Sequence, residues 1–131
     1  MVLYFSVFHK NSDRQYEVNF PDLEPYAATF GDTLEEALRS AHDALTGYLL
    51  TEEDYNEKVP SPTTDPAKFD VKSPNFIVPI EVNLNLERQK EQNKLVKKTL
   101  SIPKYLNDLG IENQINFSQT LTTALKNELN I

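Results

Sequence analysis

One stretch near the C-terminus alternates polar and apolar residues as a half-buried β-strand does: Lys97-Lys98-Thr99-Leu100-Ser101-Ile102-Pro103. Successive side chains of a strand point to opposite faces, so Leu100 and Ile102 would share one face. The other face would carry Lys97, Thr99 and Ser101. Proline cannot donate to a strand ladder but suits the first position of a helix. The stretch therefore predicts a strand that ends where a helix begins.

Two helical patterns follow this strand. The spacing of Tyr105, Leu106 and Leu109 is that of a short helix. Asn116, with Gln119 three residues later, has the form of a capping box that opens a second helix. Apolar residues then recur at every fourth position, and they are Phe117, Leu121, Leu125 and Leu129. This second helix is predicted to have a single apolar stripe.

A strand and two helices from residue 95 onward bury too little apolar surface to be stable alone. The free edge of the strand also needs a partner. Two copies of the chain could pair these strands antiparallel about a two-fold axis, and their helices would cover the apolar face. The predicted core of this dimer comprises Leu100, Ile102, Leu106, Leu121 and Leu125. Lys98 falls on the face that should be buried, where its alkyl stem could lie along the core with the ammonium reaching out. Because of this departure, a hairpin used only for dimerisation, with a merely solvated polar face, stays as an alternative.

In this order of elements the segment resembles the ribbon-helix-helix family of DNA-binding dimers. The resemblance implies that the two-stranded ribbon enters the major groove and that its polar face reads base edges through Lys97, Thr99 and Ser101. It further implies that the start of the second helix offers free amide groups to a DNA phosphate, at Asn116, Phe117 and Ser118.

Charge is distributed unevenly along the 131 residues, whose formal net charge is −7. Residues 1–92 carry 8 Lys and Arg against 17 Asp and Glu, which gives −9. Residues 93–131 carry 5 against 3, which gives +2. Because phosphates repel an acidic surface, only the C-terminal part suits nucleic acid. A composition with 39% hydrophobic and 25% charged residues is ordinary for a globular chain.

Several functional classes are disfavoured by what the sequence contains. No apolar run is long enough to span a membrane and no signal-peptide pattern follows Met1, so a cytoplasmic protein without membrane contact is expected. The absence of cysteine excludes disulfides and thiolate metal sites. Neither His9 nor His42 belongs to a catalytic motif. We therefore predict no enzyme, catalytic residue, metal or cofactor, although a residual ribonuclease that uses Glu17 and Glu81 stays as an alternative.

The N-terminal part reads as three strands, a helix and a further strand. Strands are expected around residues 3–7, 16–20 and 27–30. A helix should open at Asp32 or Thr33, with Glu35 or Glu36 completing a capping box. Its apolar stripe is predicted to comprise Leu34, Ala37, Leu38, Ala41, Ala44, Leu45, Tyr48 and Leu49.

The second half of this part is expected to contain a loop, a strand and a linker. Four prolines and an acidic run predict a surface loop over residues 51–75. Alternation from Phe76 to Leu86 predicts a strand, in which Pro79 indicates a sheet edge or a bulge. Residues 87–94 are wholly polar and are the predicted linker. The expected fold class is α+β, divided into domains 1–86 and 95–131.

Two phrases of the N-terminal part, Tyr16-Glu-Val-Asn-Phe-Pro-Asp-Leu and Thr29-Phe-Gly-Asp-Thr-Leu-Glu-Glu-Ala-Leu, are similar to HicB-type antitoxins. The tail phrases Lys98-Thr-Leu-Ser-Ile-Pro-Lys-Tyr-Leu and Ile115-Asn-Phe-Ser-Gln resemble the branch with a ribbon-helix-helix domain. The resemblance implies a partial RNase H-like domain that binds a HicA-type ribonuclease toxin and occludes its active site. It also implies a homodimeric tail that represses the chain's own operon by binding operator DNA. With the toxin the homodimer could form a higher oligomer.

Two surfaces are candidates for the toxin contact. One is the acidic segment with Glu52, Glu53, Asp54 and Glu57, which in the plainer interpretation is a solvated loop. The other is the predicted sheet edge, with Phe76 and Val78. A transcriptional repressor whose acidic domain senses a small molecule is the alternative function. The antitoxin hypothesis differs from it in requiring a short basic protein, encoded beside this gene, that purifies with the chain.

Overall fold

The computed structural model describes residues 1–131, whose contacts divide them into two units, Met1–Lys94 and Leu95–Ile131. The N-terminal unit contains strands β1 (Val2–Lys10), β2 (Tyr16–Asn19), β3 (Thr29–Gly31) and β4 (Phe76–Val82), with helices α1 (Leu34–Asp54) and α2 (Leu84–Gln92). The C-terminal unit contains helices α3 (Lys104–Glu112) and α4 (Phe117–Leu129). None of these helices combines the length and the apolar character needed to cross a membrane.

The four strands form one antiparallel sheet in the order β3-β2-β1-β4. In β1, Tyr4 and Phe8 are buried, and they pack in the core with α1 and with residues of β2 and β4. The predicted order of three strands, a helix and a strand is confirmed. β4 pairs only with β1, so the edge position indicated by Pro79 is also confirmed.

Helix α1 begins at the predicted cap. Thr33 Oγ1 accepts a hydrogen bond from the Glu36 amide at 3.1 Å, and Glu36 Oε2 accepts one from the Asp32 amide at 3.1 Å. These two bonds satisfy amides that have no partner inside the helix.

Two members of the predicted apolar stripe, Leu34 and Leu38, are exposed by 42% and 37%. The buried residues in this part of α1 are the small Ala37 and Ala41. A Cβ atom added at Gly31 would lie 2.3 Å from the backbone nitrogen of Ala37. The helix thus approaches the end of β3 through its smallest residues, which leaves the two leucines at the flank of the contact.

The acidic run Glu52-Glu53-Asp54 was predicted in a loop but forms the last turn of α1. Acidic side chains are unfavourable at a helix C-terminus because that end of the dipole is negative. Arg88 offsets this effect, since its guanidinium lies 3.2 Å from Glu53 Oε1 and 2.9 Å from Asp54 Oδ1. The hydrogen bond that Arg88 donates to the Glu53 carboxylate, together with the charges of Glu53 and Asp54, raises the pKa of Arg88.

The polar segment predicted as a linker is helical through Gln92, and the strand pattern predicted to reach Leu86 ends at Val82. Asn83 caps α2 by accepting a hydrogen bond from the Leu86 amide at 3.1 Å. Leu84 packs against the core of the unit. Asn93, in the left-handed conformation with φ 48°, ends the helix. A side-chain cap and contacts with α1 therefore order a segment that has no apolar periodicity of its own.

Both helices of the C-terminal unit occur where their spacing predicts them. Asn116 Oδ1 accepts a hydrogen bond from the Gln119 amide at 3.0 Å, which confirms the predicted cap of α4. Helix α3 begins at Lys104, one residue later than expected, because Pro103 is its N-cap and not its first residue. Residues 97–102 form neither helix nor strand within the single chain. The predicted strand in this segment would need a second copy to pair with.

Candidate functional site

The predicted dimer-core residues of the C-terminal unit lie on an uncovered apolar surface. Leu100 and Ile102 are 53% and 48% exposed, Leu106 and Leu125 are exposed, and Leu121 is half-buried. An open groove of about 490 Å³ is lined by Leu100, Ile102, Leu121 and Phe117. The structure thus brings three of the five predicted core residues together. All three stay at least partly exposed to solvent.

Polar groups flank this groove. The residues predicted to read bases, Lys97, Thr99 and Ser101, are all exposed and form no side-chain hydrogen bond or ion pair within the chain. Lys98 lines the groove itself, beside Leu100 and Ile102. Lys98 therefore lies on the same side as Leu100 and Ile102, as the alternation of the sequence predicts.

The start of α4 offers unpaired donors. The Gln119 amide donates its hydrogen bond to the Asn116 side chain, and the Thr120 amide donates to the Asn116 backbone carbonyl at 3.0 Å. The amides of Phe117 and Ser118 have no acceptor within the chain. Amides free at a helix N-terminus are suited to an anionic oxygen.

The four acidic candidates for the toxin contact differ in their availability. Glu53 and Asp54 are paired with Arg88, whereas Glu52 is half-buried and has no ion pair. Glu57 is exposed in the loop after α1. Arg88 was not singled out in the sequence because it lies in a mixed-charge segment with no motif. The structure thus leaves Glu52 and Glu57 unpaired.

The candidates on β4 both pack on the core side of the sheet, although Phe76 stays 36% exposed. The Phe76 ring packs 5.4 Å from the Phe8 ring and 6.4 Å from the Tyr16 ring. Val78 is half-buried against the core, and its carbonyl accepts a hydrogen bond from Ser6 Oγ at 2.7 Å. Accessible contact at this edge would therefore come from the backbone and from Phe76, Pro79 and Glu81, which are exposed, more than from Val78.

Glu17 and Glu81, the carboxylates considered for catalysis, do not converge. Glu17 lies opposite His9 in the sheet, and Glu81 lies opposite Leu3. These positions are six residues apart along β1, which corresponds to about 20 Å. No group of three or more His, Asp or Glu side chains is arranged to hold a metal ion.

A pair of tyrosines forms a surface feature that the sequence did not indicate. The rings of Tyr26 and Tyr48 stack with centroids 5.6 Å apart and an interplanar angle of 11°. Burial, with smaller contributions from Glu52 and Tyr26, raises the pKa of Tyr48. The two residues are 22 positions apart on different elements, so no local pattern could connect them.

A comparison with protein-family models assigns the chain. Residues 4–122 match the model described as the HicB_like antitoxin of bacterial toxin-antitoxin systems. The chain belongs to the HicB-like antitoxin family. The match covers both units, and it confirms the assignment indicated by the phrases at Tyr16–Leu23 and 29–38. The chain is thus an antitoxin of a toxin-antitoxin system.

Solved structures agree with the HicB-like assignment. The chain is 30% identical to a chain of a toxin-antitoxin complex from Streptococcus pneumoniae, covering 97% of this chain and 98% of that one with a TM-score of 0.55. The Burkholderia pseudomallei antitoxin HicB shares the fold at 20% identity, 99% and 98% coverage and a TM-score of 0.56. A chain of the HicA3 and HicB3 toxin-antitoxin complex is 18% identical over 63% of this chain and 99% of that one, with a TM-score of 0.51. A comparison with curated protein sequences gave no match.

Proposed function

We propose that this HicB-like antitoxin neutralises a HicA-type ribonuclease toxin with its N-terminal unit and represses its own operon with its C-terminal unit. The toxin partner is supported by the likeness to chains of two toxin-antitoxin complexes, one of them named as HicA3 with HicB3. The proposed mechanism is stoichiometric binding, so the antitoxin itself carries out no catalytic step.

Neutralisation is proposed to occur by occlusion. A ribonuclease must present a basic surface to RNA, and residues 1–92 of the antitoxin carry a net charge of −9. Opposite charges steer the two proteins together and compete with RNA for the same surface. A bound N-terminal unit would then cover the active site of the toxin.

Repression is proposed to depend on a dimer of the C-terminal units, and the uncovered apolar groove carries this part of the proposal. Pairing of residues 97–102 from two copies would bury Leu100 and Ile102 against the helices. The opposite face of that ribbon would present Lys97, Thr99 and Ser101 to the major groove of the operator. The free amides at the start of α4 would then bind a backbone phosphate.

The division of labour is tested by a double substitution on the polar face, Lys97→Ala with Thr99→Ala. Removing two base contacts, each at the lower end of about 1–3 kcal/mol, is expected to weaken binding to the operator by about 30-fold or more. Electrophoretic mobility shift with the promoter DNA of the chain's own operon measures this effect. Growth rescue of cells that produce the toxin measures neutralisation, which should not change.

The exposed residues Lys104 and Thr123 lie outside the proposed ribbon, so Lys104→Ala with Thr123→Ala is the matched control. This variant should bind operator DNA like the wild type. Equal loss of repression and neutralisation in the Lys97 and Thr99 variant would contradict the separation of the two activities.

A further inference from the structure

The stacked tyrosines form an accessible aromatic surface at one corner of the N-terminal unit. Tyr26 is 59% exposed, while Tyr48 is half-buried against the core. Since stacking covers one face of the Tyr26 ring, the exposed area lies on the outer face and rim. The Tyr26 amide donates a hydrogen bond to the Leu23 carbonyl at 2.9 Å, which fixes the turn that carries the ring.

Two carboxylates, Glu52 and Asp22, lie near the tyrosines, and neither forms an ion pair within the chain. Glu52 follows Tyr48 by one turn of α1 and is close enough to raise the pKa of the Tyr48 hydroxyl, an effect in which burial is the larger cause. Burial, with smaller contributions from Asp22 and Tyr48, likewise raises the pKa of the neighbouring Tyr4. Glu52 forms no ion pair and no side-chain hydrogen bond, in contrast to Glu53 and Asp54 on the same turn.

Elsewhere the chain supplies its own cation to an aromatic ring. Lys10 Nζ lies 5.5 Å from the centroid of the Tyr16 ring. No lysine or arginine of the chain occupies such a position over Tyr26 or Tyr48. An aromatic face with a neighbouring carboxylate attracts a guanidinium both by the ring quadrupole and by charge. This corner of the unit therefore has the groups of a cation site without the cation.

The corner is also held rigidly, which lowers the entropic cost of binding. The Tyr4 hydroxyl donates a hydrogen bond to the Pro60 carbonyl. The Asp22 carboxylate accepts two hydrogen bonds from Thr63, at 2.7 Å from the amide and 2.8 Å from the hydroxyl. Both contacts tie the loop after α1 to residues that lie beside the stack.

We infer that Tyr26, Tyr48 and Glu52 receive an arginine side chain of the toxin, with the guanidinium on the outer face of Tyr26 and in reach of Glu52. The inference rests on the proposed function, since a protein that binds RNA must expose basic side chains and residues 1–92 carry a net −9. Among the acidic candidates it selects Glu52, which is unpaired and lies next to an aromatic surface.

The test measures the dissociation constant between the full-length chain and a catalytically inactive form of the HicA-type toxin encoded beside its gene. Isothermal titration calorimetry is suited to this. Tyr26→Leu is expected to weaken binding about 5- to 10-fold because it removes the ring face. Glu52→Gln is expected to weaken binding about threefold and to make it less dependent on salt.

Two further variants separate the proposed contact from general damage. Tyr26→Phe keeps the stack and the ring face, so it should bind like the wild type. Tyr105→Leu with Glu35→Gln changes the same residue types at exposed positions outside the stack and outside the acidic segment 52–57, and it should also bind like the wild type. Thermal unfolding of each variant shows whether it is folded.

The outcomes distinguish the inference from the function on which it rests. A wild-type chain that binds the toxin, together with a folded Tyr26→Leu variant of equal affinity, would overturn the arginine site alone. A wild-type chain that does not bind the toxin at all would overturn the proposed function and this inference together. The inference is supported if Tyr26→Leu and Glu52→Gln bind the toxin more weakly while Tyr26→Phe and the control variant bind it like the wild type.

Discussion

At the scale of single residues, two glycines of the N-terminal unit occupy opposite environments. A Cβ atom added at Gly31 would lie 2.3 Å from the backbone nitrogen of Ala37, and no side-chain rotation can relieve that contact. Gly47 lies in the middle of α1 and is exposed, with nothing within 4 Å of an added Cβ atom. Gly31 thus permits the close approach of β3 and α1, whereas Gly47 only lowers helix propensity.

These environments predict opposite effects of the same substitution. Gly31→Ala should lower the free energy of unfolding of the N-terminal unit by about 1–3 kcal/mol, as overpacking does. Gly47→Ala should raise it by about 0.5–1 kcal/mol because alanine favours the helix. Urea unfolding followed by circular dichroism measures both, and each variant is the control of the other. Wild-type stability in Gly31→Ala would contradict the close contact.

At the scale of elements, α2 shows where local sequence patterns stop being informative. The strands β1 and β2 and the helices α1, α3 and α4 were predicted because alternation, helical spacing and caps such as Asn116 are local signals. Helix α2 has no such stripe, and its order depends on contacts with distant residues. Arg88 forms ion pairs with Glu53 and Asp54 at the end of α1. Glu87 Oε1 lies 3.9 Å from Nε2 of His42, which is also on α1.

The same limit applies to the candidate site. The apolar and polar positions of the tail could be assigned from alternation alone, whereas the stack of Tyr26 on Tyr48 could not. It depends on the turn after β2 meeting the fourth turn of α1, which is a property of the fold. Leu34 and Leu38 show the converse, since their helical spacing is right and the packing at Gly31 still leaves them exposed.

If Arg88 orders α2, its removal should loosen that helix specifically. In Arg88→Gln we expect faster amide hydrogen exchange over residues 84–92 and in the last turn of α1, where two carboxylates lose their partner. Exchange in the sheet should not change. Lys90→Gln is the control, because Lys90 pairs with Glu87 inside α2 and not with α1. Equal exchange in both variants would assign the order of α2 to its cap and to Leu84 instead.

At the scale of the whole molecule, the two units differ in charge and in how much apolar surface they leave exposed. The acidic N-terminal unit has a buried core of its own, with Tyr4, Phe8, Phe20 and Leu45 among its fully enclosed side chains. In the C-terminal unit only Gly110 is buried, and large apolar side chains remain exposed on α3 and α4. An apolar surface of this kind marks an interaction site, and a second copy of the same unit is the partner we propose.

Dimerisation of the whole chain should therefore depend on the groove and not on the N-terminal unit. Leu121→Asp would place an unpaired carboxylate in the proposed dimer core, where desolvation costs several kcal/mol. We expect this variant to be a monomer by sedimentation velocity and to lose operator binding, while each monomer still binds the toxin. Ile131→Asp introduces the same charge at an exposed apolar residue outside the groove, and it should stay dimeric. A dimeric Leu121→Asp variant would show that the chains associate through another surface, and the ribbon would then have no basis.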